Sequence, residues 1–248
     1  MRVAAIYDIH GNLPALEAVL RDIEAATVDR IIVGGDVIPG PMPRECLERL
    51  LDLALPVDFI HGNGDREVLA IRDGRETGTI PERFRPVMRW TADQLDASLA
   101  RTIGEWPSTL RLEVEPLGEV LFCHATPRND MEIFTRQTPA EVLEPIFAAA
   151  KAALIVCGHT HMQFDRLIGA TRVVNAGSVG MPFQLPGAYW LTIGPDVQRR
   201  RTGYDLDAAA ARIRASNYPQ ADDFAEHHIL HPPGEEQTLA ALAKSQIR

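Results

Sequence analysis

Short apolar runs rich in Val and Ile recur along the chain and set its rhythm. They fall at Val3–Tyr7, Arg30–Val33, Val57–Ile60, Val120–Cys123, Leu154–Cys157, Thr171–Val174 and Tyr189–Ile193. Each predicts a strand, and the near-continuous apolar ones predict strands buried on both faces. Between them the period changes. Leu13, Leu16, Val19, Leu20 and Ile23 mark one face of a helix, with Asn12 as its N-cap and Pro14 in its first turn. Pro43 to Leu55 repeats the signal through Cys46, Leu47, Leu50 and Leu51, and further helices are predicted near 66–72, 82–100 and 139–150. Strand–helix alternation at the start predicts parallel βαβ units. The closer strands from 110 to 195 predict antiparallel pairs. The expected fold is α/β: two mixed β-sheets packed face to face with helices outside, a four-layer α-β-β-α sandwich. That domain is expected to span 1–205. Residues 206–248 change character, with a helix over 205–215 and then Pro219, Pro232 and Pro233. They are expected to form a helical extension, packed on the same domain or at a subunit interface of a homo-oligomer.

Composition narrows the function classes. The chain has 248 residues, 46% apolar and 24% charged, which is enough to bury a sizeable core. Its formal net charge is −9, which disfavours non-specific binding to nucleic acid or to anionic membrane. No apolar run reaches about 18 residues, so no membrane span is expected, and a cytoplasmic location is the default. Cys46, Cys123 and Cys157 have no paired spacing and are expected to stay reduced; Cys123 and Cys157 are expected to pack in the core.

The chemistry lies at the strand ends. The first strand runs into Asp8-Ile9-His10-Gly11-Asn12, the second into Gly34-Gly35-Asp36, and the third into His61-Gly62-Asn63-Gly64-Asp65. A later strand runs into Cys123-His124-Ala125, and the next into Gly158-His159-Thr160-His161. Ligands bind at the carboxyl ends of strands in α/β sheets. If the chain stays extended there, residues i and i+2 point the same way. That would aim Asp8 with His10, and His159 with His161. Four His, two Asp and one Asn offer nitrogen and oxygen donors that suit Mn²⁺, Fe, Co, Ni or Zn²⁺ better than Ca²⁺ or Mg²⁺. Seven donors are too many for one such ion and suit two ions sharing a carboxylate.

Together "DIHGN", "GGD", "GNGD", "CHATP" and "GHTH" resemble the calcineurin-like metallophosphoesterases, most closely the small bacterial and archaeal phosphodiesterases. The resemblance covers roughly residues 1–195. "NAGSVG" at 175–180 is similar to that subgroup's Asn-Pro-Gly-Ser-Val-Gly loop, with Ala176 in place of Pro. The resemblance implies that Asp8, His10 and His161 bind a first metal, that Asn63, His124 and His159 bind a second, and that Asp36 bridges them. Mn is the favoured ion, with Fe, Co, Ni or Zn as alternatives. It implies a hydrolase that attacks a small phosphorylated substrate, a phosphodiester or nucleotide-type ester, with a metal-bound hydroxide. Asn63 and His124 would also touch substrate. Arg128 and Asn129, which follow "HATP", are candidates to contact the substrate phosphate, against the plainer reading of a surface loop.

The family pattern has His where this chain has Gly64, and assigns that His to protonating the leaving group, with Asp65 as the acid that orients it. The loss predicts a preference for good leaving groups, since a positioned general acid is worth about 10²–10⁴ in rate. His61 is a candidate replacement, against the plainer reading of a packed histidine. His227, His228 and His231 are expected at a solvated helix end. Other readings on the same fold are a phosphomonoesterase, a dinucleoside polyphosphate hydrolase, or a binding scaffold like the retromer subunit that resembles this family.

Overall fold

Val3–Ile6 (β1), Arg30–Val33 (β2) and Val57–Phe59 (β3) run parallel, with Val3 opposite Arg30 and Ile31 opposite Val57. The computed structural model describes residues 1–75 and 80–247. In it, helices Leu13–Ala26 (α1) and Pro43–Leu51 (α2) make the crossovers. Asn12 caps α1 by accepting from the Ala15 amide at 3.2 Å. Ala188–Ile193 (β9) pairs antiparallel with the other edge of β1, and Val197–Thr202 (β10) with β9, giving the order β10-β9-β1-β2-β3. The second sheet contains Thr109–Val114 (β4), Gly118–Cys123 (β5), Leu154–Cys157 (β6), Phe164–Ile168 (β7) and Thr171–Asn175 (β8), in the order β4-β5-β6-β8-β7.

Side-chain alternation builds the layers. Val3, Ala5 and Tyr7 from the first sheet meet Val120, Phe122, Val156 and Val174 from the second, forming the core between sheets. Ala4 and Ile6 point the other way, onto Leu16 and Val19 of α1 and Leu47 of α2. Leu121, Cys123, Ile155 and Cys157 face outward under helix Ala140–Ala148 (α6), against Leu143 and Phe147. The four-layer sandwich therefore holds, with both sheets mixed. Burying each such aliphatic or aromatic side chain contributes about 1.5–3 kcal/mol.

The structure differs from expectation in three respects. The third helix starts at Asn63 rather than 66 and runs to Arg72 (α3). The helix expected over 82–100 is a short 3₁₀ turn, then Arg85–Asp93 (α4), then Ala97–Gly104 (α5). Asp96 makes the break by accepting from the Ser98 and Leu99 amides at 2.9 Å each, so it starts a new helix. Strands β4, β7 and β10 were absent from the apolar runs because each is a sheet edge, with charged residues along its length.

The extension forms Leu206–Arg214 (α7), Ala221–Phe224 (α8), a π-helical turn at Ala225–Leu230 and Glu235–Leu242 (α9). Ala209, Ile213, Phe224, Ala225 and Ile229 share one buried cluster with Leu13 and Leu16, and Arg212 pairs with Glu17 at 2.7 Å. The extension is thus packed on the body of this same chain. Among the described residues, no helix is long and apolar enough to cross a membrane.

Candidate metal centre

The residues singled out at the strand ends converge, though not by strand alternation. Asp8, His10, Asp36, His159 and His161 all adopt left-handed backbone, with φ of 53°, 48°, 51°, 65° and 58°. Each lies past the end of its strand, so the i, i+2 rule does not reach it. Left-handed backbone costs a non-glycine residue about 1–2 kcal/mol, and here loop-to-loop hydrogen bonds impose it. The amides of Asp8, His10 and Gly11 donate to the carbonyls of Gly35, Asp36 and Val37 at 3.1, 2.9 and 2.9 Å. Gly158 donates to the His124 carbonyl at 2.8 Å, and Gly180 to that of Asp8 at 3.0 Å. From the "NAGSVG" loop, Ser178 Oγ donates to the Asp8 carbonyl at 2.7 Å and Asn175 Nδ2 to that of Gly158 at 2.6 Å.

Three imidazoles point Nε2 at two carboxylates. His161 Nε2 is 3.3 Å from Asp8 Oδ1 and 3.2 Å from His10 Nε2. His124 Nε2 is 3.6 Å from Asp36 Oδ2 and 3.8 Å from Asp8 Oδ1, and His10 Nε2 is 3.8 Å from Asp36 Oδ2. The far nitrogen of each ring meets a backbone carbonyl: His10 Nδ1 and Pro39 O at 3.1 Å, His124 and Gly34 O at 2.8 Å, His161 and Met181 O at 2.7 Å. With Nδ1 carrying the proton toward a carbonyl, Nε2 is left as a lone pair. Each carboxylate also uses one oxygen for an amide and keeps the other free. Asp8 Oδ2 accepts from the His159 amide at 2.9 Å, and Asp36 Oδ1 from the Gly64 amide at 2.7 Å. Asp8 Oδ1, fully buried, has no hydrogen-bond partner.

Converging lone pairs around an orphaned, buried carboxylate oxygen are the donor set of a cation. Asp8, His10 and His161 form one group with ligand atoms within 4.8 Å of one another, and Asp8, Asp36 and His124 form another. A terminal atom of the Asn63 amide lies 3.2 Å from His124 Nε2 and 3.0 Å from His159 Nδ1, which completes a third donor cluster. All seven residues are therefore brought together. Without a cation, protons do its work. Burial opposes charge on His124, but Asp36 and then Asp8 outweigh it and push its pKa up to about 10. Burial and then His124⁺ hold His159 down at about 4.

The remaining expected site residues are placed differently. Asp65 is fully buried, and its carboxylate accepts from the amides of Val37, Ile38 and Gly62 at 2.9, 3.2 and 3.1 Å. It clamps the loop after β2 to the start of α3. Burial and then the nearby Asp36 raise its pKa to about 7. His61 lies outside the extended strand. Its Nδ1 is buried, has no hydrogen-bond partner, and is 3.8 Å from Asp130 Oδ2. A cavity of about 240 Å³ opens beside His124, lined by His61, Thr126, Arg128, Asn129 and Asp130. Arg128 faces it from an exposed position with its guanidinium held by Glu132 at 2.7 Å.

The sequence profile of the calcineurin-like phosphoesterase superfamily domain matches residues 1–193. The chain belongs to that superfamily. A metallophosphoesterase from Sphaerobacter thermophilus superposes with a TM-score of 0.71 at 26% identity, over 92% of this chain and all of that one. A hypothetical protein from Pyrococcus horikoshii shares the fold with a TM-score of 0.78 at 22% identity, over 94% of this chain and 99% of that one. An uncharacterised protein of Methanocaldococcus jannaschii is 28% identical over 239 residues, covering 88% of this chain and 94% of its own. The family is one of metal-dependent phosphoester hydrolases.

Several parts of this phosphoesterase site were invisible in the motifs. The carbonyls of Gly34, Pro39 and Met181 set the imidazole tautomers, and a backbone carbonyl leaves no side-chain signature. Asp130 holds Arg66 by a bidentate pair at 2.8 and 3.1 Å, with no motif around it. His228 was expected at a solvated helix end. His227 and His231 are exposed, but His228 is turned inward toward His10 and His161. Burial and then those two rings lower its pKa to about 3.

Proposed function

We propose that this phosphoesterase hydrolyses small phosphodiesters or nucleotide-type phosphate esters with good leaving groups, at a centre for two divalent ions with Mn²⁺ favoured. The observation that carries the reading is the set of Nε2 lone pairs aimed at carboxylates that each keep one oxygen free. Asp8, His10 and His161 would hold one ion, and Asn63, His124 and His159 the other. Asp36 Oδ2 lies between His10 and His124, as a bridging carboxylate must, and Asp8 Oδ1 also reaches toward both. Such ions, when bound, acidify water and neutralise charge on the phosphate oxygens.

The chain's own residues orient and enclose. The Gly64 amide fixes the Asp36 carboxylate, the His159 amide fixes that of Asp8, and Asp65 ties the two metal-bearing loops together. With Gly64 in place of an imidazole, no side chain stands at that position to protonate a departing oxygen. Aryl esters, diesters among them, expel weakly basic phenolates that need little protonation, which is why they are favoured.

Hydrolysis of bis-p-nitrophenyl phosphate should appear with Mn²⁺ and vanish with a chelator. Asp36→Asn should lower kcat by at least about 10²-fold while the fold persists by circular dichroism. Metal-loaded protein that turns over no phosphate ester would instead favour a binding role on this fold. Across a series of aryl diesters, kcat/KM should fall steeply as the leaving-group pKa rises; a flat series would mean that another group supplies the proton.

A further inference from the structure

The His10 side of the centre opens into a small chamber, one wall of which lies beyond the family match. It has a volume of about 150 Å³ and is lined by His10, Phe84, Val87, Met88, Phe224 and His228, among others. Helix α4 supplies one wall, and the C-terminal extension, beyond residue 193, supplies the opposite one. The walls are mostly apolar, with Thr91, Tyr218, Gln220 and Asp223 as further polar side chains on the lining, and the two imidazoles differ in role. His10 is a candidate metal ligand. His228 Nδ1 is buried and has no hydrogen-bond partner. Its ring is held against Phe224, with centroids 5.1 Å apart, in a π-helical turn. π-Helical turns are rare and concentrate at functional sites.

Resting on the phosphoesterase reading above, we infer that this chamber is the subsite for the organic group of the substrate, and that it selects a compact, apolar group of about one ring with a polar atom for His228. A dry cavity of about 150 Å³ accepts benzene. A nucleobase with its ribose is larger than that, so the chamber narrows the substrate class to aryl phosphoesters, whose leaving groups need little protonation. His228 is a specificity-determining residue, at the wall and not at the reacting phosphorus.

The test uses full-length protein loaded with Zn²⁺, which is diamagnetic, and three anions: inorganic phosphate, methylphosphonate and phenylphosphonate. Calorimetry should show phenylphosphonate binding at least about tenfold more tightly than methylphosphonate. Val87→Phe, which fills the chamber, should abolish that preference while methylphosphonate affinity stays within about threefold. Should Val87→Phe misfold, Met88→Phe on the same wall makes the same comparison. In imidazole ¹H–¹⁵N spectra, phenylphosphonate should shift the His228 ring signals and leave the exposed His227 and His231 in place. Equal binding of all three anions with His228 unmoved would overturn the chamber assignment alone. Failure of all three to bind the metal-loaded protein would remove the phosphoesterase reading and the chamber with it.

Discussion

Gly64 shows how one position can be chosen for space as much as for chemistry. A Cβ placed there would sit 2.6 Å from Pro39 Cγ and 2.9 Å from Asp36 Oδ1, and the Gly64 amide already holds Asp36. Gly64→His would put an imidazole where the family pattern has its proton donor. In this loop the new side chain must displace Pro39 or Asp36 first. Gly64→His should therefore cost about 1–3 kcal/mol of stability and weaken metal binding about tenfold or more, without accelerating poor leaving groups. Thermal melts and a Mn²⁺ titration by calorimetry check both; faster cleavage of alkyl esters at unchanged metal affinity would show that the imidazole fits after all. The seven donors were legible because Asp, His and Asn beside glycines at strand ends leave few other uses. Their orientation was not, since left-handed φ at Asp8 or His161 is imposed by partners far along the chain, such as Ser178 and Gly180. Asp65 read as a catalytic partner because its motif is local, whereas its hydrogen bonds reach back to Val37 and Ile38.

At the scale of elements, the apolar runs marked the central strands and one edge, β3, and left out the other three edges. β1 has all four residues fully buried, so its sequence is a continuous signal. β10 carries Arg199, Arg200 and Arg201 in a row, and only its pairing with β9 makes it a strand. The extension was legible as helical, but where it packs was not, because its contacts lie some 190 residues away. Its Ile213 is fully buried in the cluster that also holds Leu16 of α1. Ile213→Ala should lower unfolding free energy by about 2–5 kcal/mol. Metal affinity should stay unchanged, since the ligand loops are braced by other bonds. Urea unfolding against a Mn²⁺ titration separates the two. A parallel fall in metal affinity would mean that the extension and the centre fold as one cooperative unit.

For the whole molecule, the centre couples folding, protons and metal. The chain is acidic overall, yet the buried His124 beside Asp36 and Asp8 is a cation when no metal is bound. Its folded pKa of about 10 lies above the ordinary value of 6.5. A raised pKa means stability that is complete below about pH 6.5 and is lost as pH climbs toward 10. The metal-free protein should lose about 1.4 kcal/mol from this group per pH unit across that window. Bound metal takes the place of that proton, so the loaded protein has no such slope from His124. The gap in Tm between loaded and chelator-treated protein should therefore widen from pH 7 to pH 9. At about 2–4 °C per kcal/mol for a chain of this size, the widening is about 3–5 °C per pH unit. Scanning fluorimetry across pH, with and without Mn²⁺, measures the gap directly. Calorimetry in buffers of different ionisation enthalpy should show about one proton released on metal binding at pH 7.5. A gap that stays constant with pH, with no proton released, would mean that His124 is already neutral in the metal-free fold and that Asp36 and Asp8 hold no counter-ion there.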